Sequence, residues 1–214
     1  MKLIIGADLV PTESNAELFK RGNAEVLIGE DLQMLLNEAD YKIFNLEVPL
    51  TNVLSPIDKC GPALIASEDT IEGYKAIGVD CLTIANNHIM DQGVQGLKST
   101  LDILENAKIS YVGGGDNLEQ ATKPLIIEMG ERKIGIYACA EHEFSIATES
   151  CPGANPFDPL ESLDHITKLR AQCDYVIVLY HGGKEHYRYP SSNLQKVCRK
   201  MVEKGADLII CQHS

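Results

Sequence analysis

Carboxylates, carboxamides and imidazoles recur at the ends of apolar runs in this chain. Residues 3–6 lead to Asp8, and "YKIFNLE" ends in Asn45-Leu46-Glu47. "DCLTIA" delivers Asn86-Asn87-His88, with Asp91 and Gly93 behind it. "DYVIVLY" is followed by His181-Gly182-Gly183-Lys184-Glu185-His186, and the final run by Gln212-His213. A mixed oxygen and nitrogen donor set of this kind suits Mn, Fe or Zn better than Mg or Ca, which prefer all-oxygen shells. Two such ions roughly 3.5–4 Å apart can clamp the attacking and leaving oxygens of a displacement at phosphorus. A carboxylate has two oxygens with which to bridge them. An imidazole that is not itself a ligand can protonate a leaving group near neutral pH.

Each piece alone has a plainer reading. Asp8 and Glu47 also read as solvated strand-end carboxylates, and "NNH" as a turn whose amides cap the next helix. His181 also reads as a satisfied core histidine, His186 as a surface residue, and His142 in "AEHEF" leans the same way. What favours a metal site is that five strand ends deliver such groups together. In α/β folds, ligands bind beyond the carboxyl ends of the strands.

The elements that must position these groups follow from hydrophobic periodicity. Apolar spacing at Val26, Leu27, Leu32, Leu35 and Leu36 predicts a helix over 25–39, and residues 41–47 read as strand. Helix is expected over 68–77 with Ser67 as N-cap, strand over 80–85, helix over 94–107 and strand over 109–112. "PLIIEMGERKIGIYACAE" predicts a hairpin turning at 130–133, followed by a loop-rich stretch with Pro152, Gly153, Pro156 and Pro159. Helix 160–171, strand 174–180, helix 194–204 and strand 207–211 complete the chain. Alternating strands and helices imply parallel βαβ units, and the hairpin adds antiparallel content. A mixed sheet or two packed sheets in a single domain over 1–214 is expected.

Composition bounds the rest. The 214 residues carry 44% hydrophobic and 23% charged residues, as ordinary globular proteins do. A net charge of −12 disfavours nucleic acid and anionic membrane surfaces as partners. No apolar stretch is long enough for a membrane span or a signal peptide's core, so a cytoplasmic location is expected. Seven cysteines without CxxC spacing read as reduced, buried thiols rather than a zinc ribbon.

In this order, "GAD", "NLE", "ANNHIMDQG", "HGGKEH" and "QHS" resemble the CapA-type capsule-synthesis (poly-γ-glutamate) proteins. These are similar in fold to calcineurin-like metallophosphoesterases, a two-layer β-sandwich with flanking helices. The likeness spans almost the whole chain, with NNHxxDxG and HxGxE its more specific motifs. It implies an α/β (α+β) fold with two divalent metals, Mn, Fe or Zn. It implies that Asp8 ligates the first metal, that Glu47 bridges the pair, and that Asn87 and His181 ligate the second. His213 matches the first histidine of a terminal His-x-His. His88 becomes the general acid or transition-state stabiliser, and Asp91 and Glu185 orient imidazoles or meet substrate. "KCGPALIA" resembles the loop after the second motif; its Lys59 either meets an anionic substrate or is a solvated loop lysine.

The chain departs from the pattern in four places. Asp8-Leu9-Val10 lacks the histidine of Asp-x-His, and Cys211-Gln212 stand where many relatives have glycine and histidine. Gly183 replaces an aromatic residue, and the second terminal histidine would be residue 215. A C-terminally truncated domain is therefore expected, binding metal weakly or at one site. The function implied is a metal-dependent hydrolase acting on an anionic phosphoester or γ-glutamyl substrate. The alternative is a non-catalytic capsule-polymer-handling or metal-stabilised binding protein.

Overall fold

Apolar runs become parallel strands, and their carboxyl ends collect the polar residues. The computed structural model describes residues 1–213, and its contacts group into two units. The first comprises Met1–Ile84 and His88–Tyr111; the second comprises Ala85–Asn87 and everything from Val112 onward.

The first unit runs β1 (Leu3–Asp8), α1 (Ala16–Arg21), α2 (Ala24–Ile28), α3 (Glu30–Asn37), β2 (Tyr41–Asn45), a 3-10 turn (Glu68–Thr70), α4 (Ile71–Ile77), β3 (Cys81–Thr83), α5 (Gly93–Ala107) and β4 (Ser110–Val112), whose last residue leaves the unit. Its sheet has the order β1-β2-β3-β4, with β1 parallel to β2 and β2 parallel to β3. Phe19, Leu36, Ile43, Tyr74, Leu82 and Leu97 are buried in it. The register slips between Ile5 and Asp8. There Gly6 lies so near Phe44 that a Cβ would come within 2.2 Å of the ring, so only glycine fits and Asp8 pairs again with Asn45 beyond the irregularity.

The second unit runs β5 (Gly114–Gly115), α6 (Leu118–Ala121), β6 (Leu125–Met129), β7 (Arg132–Ala140), β8 (Gly153–Ala154), α7 (Glu161–Arg170), β9 (Tyr175–His181), α8 (Ser192–Glu203) and β10 (Leu208–Gln212). The expected hairpin is β6 and β7, antiparallel, with Met129 opposite Arg132. β7, β9 and β10 are mutually parallel in the order β10-β9-β7-β6. Tyr137, Ile166, Leu169, Val176, Val178 and Met201 build the core between this sheet and its helices. The fold is therefore mixed α/β, as the alternation predicts.

Three expectations are corrected. The helix over 25–39 is two helices, broken at Gly29, whose φ of 81° and ψ of 156° no helix accommodates. Ser67 occupies the N-cap position without capping: its hydroxyl donates to Asn52 Oδ1, and the first turn is 3-10. Cys60 and Cys151 are exposed rather than buried, although all seven cysteines are free thiols. Among the described residues, no helix is long and apolar enough to cross a membrane.

Candidate functional site

In the first unit, parallel pairing brings the ends of β1 and β2 side by side. Asn45, the last residue of β2, is fully buried and links both carboxylates. Its Nδ2 donates to Asp8 Oδ1 at 2.8 Å and approaches Glu47 Oε2 at 3.5 Å. Its Oδ1 accepts from Thr83 Oγ1 at 2.9 Å, which orients the amide with its NH₂ toward the acids. Asp8 lies exposed at the strand end, whereas Glu47 is buried.

The second group in this unit is built by the segment that enters α5. His88 Nδ1 donates to Asp91 Oδ2 at 2.6 Å, which sets the ring's tautomer. Asp91 Oδ1 pairs with Lys59 Nζ at 2.5 Å, and its Oδ2 also accepts from Leu64 N at 2.6 Å. Lys59 Nζ stands 3.2 Å from His88 Nδ1. The side chains of Lys59 and Asp91 are 2% and 0% exposed, so this is a buried ion pair and not a solvated lysine. Gln92 completes the clamp: its Oε1 accepts from Ser55 N and its Nε2 donates to Leu64 O. The 55–64 loop is thus tied to the DQG segment at both ends.

In the second unit, strand register assembles the imidazoles. His181 ends β9 and pairs with Ala140 of β7 on one side and Gln212 of β10 on the other. Its Nε2 stands 3.1 Å from Asn87 Oδ1. His213 follows directly, its ring centroid 4.8 Å from that of His181. A φ of 72° places its backbone in the left-handed region, which histidine enters more readily than most residues. Its Nε2 lies 3.7 Å from Glu185 Oε1 and 3.9 Å from Glu143 Oε1. His142 and His186 are exposed, as the plainer reading expected.

The donors fit a divalent transition metal. Two ligands each about 2.1 Å from one ion and at right angles are roughly 3 Å apart, and Asn87 Oδ1 and His181 Nε2 have that spacing. Carboxylate, amide oxygen and imidazole together form the mixed set such ions favour.

Sequence reasoning gave Asn45 and Gln92 no role. The available signal was a carboxamide at a position that periodicity buries: Asn45 shares a strand face with Ile43, and a buried amide must find partners. Lys59 was singled out, but its partner lies 32 residues further on.

Comparison with known proteins bears on the family and the fold. The chain is 30% identical over 156 residues to the capsule biosynthesis protein CapA of Bacillus anthracis, covering 70% of this chain and 38% of that protein. It is 28% identical over 188 residues to the PGA biosynthesis protein CapA of Bacillus subtilis, covering 85% and 49%. The chain thus spans less than half the length of these relatives. Among solved structures, a phosphatase from Mycoplasma pneumoniae matches with a TM-score of 0.57 and 20% identity, over all of this chain and 64% of that one. A putative 5'-nucleotidase from Staphylococcus aureus matches with a TM-score of 0.59 and 18% identity, over 99% and 44%. The fold is that of the metallophosphoesterase-like phosphatases. Since the profile of the family described as "Bacterial capsule synthesis protein PGA_cap" matches residues 8–214, the chain belongs to that family.

Proposed function

We propose that this chain is a metal-dependent hydrolase domain of the capsule-synthesis family, acting on an anionic phosphoester through two divalent ions. The observation that carries the reading is His88, whose Nδ1 is held by the buried, Lys59-paired carboxylate of Asp91. That arrangement fixes one imidazole in tautomer and direction, as a general acid requires. Asn87 and His88 are consecutive, so one peptide bond joins a proposed metal ligand to the proposed acid. In this reading Asp8 and Glu47 of the first unit, and Asn87, His181 and His213 of the second, are the residues that would hold the ions. When bound, such ions polarise substrate oxygens and acidify water. His88 delivers a proton from Nε2 to the departing oxygen, while Asp91 holds the ring through Nδ1. Asn45 keeps Asp8 and Glu47 oriented, and Glu185 meets His213 or substrate.

A second reading rests on the printed name of the Bacillus subtilis relative, a PGA biosynthesis protein. In it the same residues handle or cleave a γ-glutamyl polymer. Metal content, followed by phosphomonoester and phosphodiester assays with Mn²⁺, tests the proposal. Turnover that depends on metal and drops by about 10²–10⁴-fold in His88→Ala supports it. A protein that takes up no metal and turns over neither ester overturns it. Inert phosphoesters with cleaved γ-glutamyl peptides select the second reading.

A further inference from the structure

The second unit also brings two free thiols together at the β10 end of its sheet. Cys198 stands on α8 and Cys211 on β10, 13 positions apart, and their Sγ atoms lie 3.6 Å from each other. A disulfide bond is about 2.05 Å long, so closing one asks each sulfur to move by only about 0.8 Å. Both residues are half-buried and line a groove of about 510 Å³, whereas Cys139, in the same core, is fully buried. The pair is therefore open to a molecule in the groove, which separates it from the inert, buried thiols of Cys81 and Cys139.

Charge narrows what can meet the pair. Lys184, Arg188 and Arg199 line the groove, and among the described residues no carboxylate does. This is a local reversal of sign in a chain whose net charge is −12. Such a lining draws in a small anion and favours a thiolate over a thiol. Arg199 follows Cys198 on the same helix and shares the groove, so Cys198 is the sulfur placed to attack first.

We propose that Cys198 and Cys211 form a reversible redox pair, closed to a disulfide by exchange with a small anionic disulfide that enters this groove. Each thiol gives its proton to solvent. The Cys198 thiolate attacks one sulfur of the small disulfide, whose S–S bond breaks, and one small thiolate leaves. The Cys211 thiolate then attacks Cys198 Sγ in the mixed disulfide and expels the second small thiolate. The pair is oxidised by two electrons, the small disulfide is reduced by two, and the released thiolates take up the two protons. The closed pair ties α8 to β10. It uses none of the proposed metal ligands and none of the groups around His88, so it stands or falls independently of the hydrolase reading.

Two oxidants of opposite charge test it on the reduced chain at pH 7: glutathione disulfide, an anion, and cystamine, a cation. Products are quenched with acid, alkylated and mapped as peptides by mass spectrometry. Glutathione disulfide should yield a linked Cys198–Cys211 peptide that excess reduced glutathione reopens, while the exposed Cys60 and Cys151 take single glutathione adducts. Cys211→Ser should stop the sequence at a glutathione adduct on Cys198. With each rate divided by that of the same oxidant on the neutral thiol N-acetylcysteine amide, the link should form about tenfold faster with glutathione disulfide than with cystamine. The double variant Lys184→Gln/Arg188→Gln alters two exposed side chains and should lower that preference severalfold. Separate adducts on Cys198 and Cys211, a pair that stays reduced while Cys60 and Cys151 react, no preference for the anion, or a preference unchanged in the double variant would each overturn the proposal.

Discussion

The two units hold their polar groups by different means. In the first, side chains hold side chains: Asn45 links Asp8 to Glu47, and Lys59, Asp91 and His88 form a buried cluster that also ties down a loop. In the second, the backbone does the holding. His181 is set by the register of three parallel strands, and His213 is carried by the residue beyond β10. The carboxylates near His213 are more loosely engaged, at 3.7 and 3.9 Å, and Glu185 is 61% exposed. A buried side-chain network positions its members only if all are present, because each lost partner leaves a desolvated group behind. Backbone register keeps its direction whatever the neighbouring side chains are. Substitutions should therefore cost stability in the first unit and little in the second.

The largest effect is expected at the buried ion pair. Asp91→Ala leaves the Lys59 ammonium buried without its carboxylate and frees the loop amide at Leu64. It should destabilise the chain by about 3–5 kcal/mol in denaturant unfolding. Lys59→Ala should cost a similar amount, and the double variant less than the sum of the two. If either single variant unfolds at the wild-type denaturant concentration, side-chain holding in the first unit is disproved.

A smaller loss is expected for Asn45→Ala, which removes a donor to both acids and orphans the hydroxyl of Thr83. About 1–3 kcal/mol is anticipated, together with Mn²⁺ affinity weaker by roughly 10–100-fold in a metal titration. Unchanged affinity with lost stability would show that Asn45 packs the strand without orienting the carboxylates.

Least should come from the second unit. Glu185→Gln should change stability by no more than about 0.5 kcal/mol, since exposed pairs contribute little. A loss above about 1 kcal/mol would show that His213 is held by its side-chain neighbours after all, and the contrast between the units would collapse.

Much of this arrangement was legible before any coordinates. Every strand end that was singled out does end a strand or follow one closely, because apolar runs bounded by polar residues report burial directly. The hairpin was readable for the same reason. The helix over 25–39 failed on an equally physical point. Val26, Leu32 and Leu35 repeat at helical spacing yet are exposed, so their periodicity did not mark a core face and gave no reason to continue through Gly29. The role of Lys59 was hidden because nothing local separates a loop lysine in solvent from one folded back onto an aspartate. Ser67 shows the converse: the right residue at a helix start, with its hydroxyl drawn instead to Asn52.

The sequence by itself determined which residues end the strands, the alternation that makes those strands parallel, and the donor chemistry gathered at their carboxyl ends. These depend on neighbours a few positions apart and on the common direction that βαβ units impose. Only the tertiary structure decided who holds whom. That Asn45 donates to Asp8 and that Lys59 is buried on Asp91 depend on residues 37 and 32 positions apart in the chain. Burial then makes each partnership costly to break, and no local pattern encodes that.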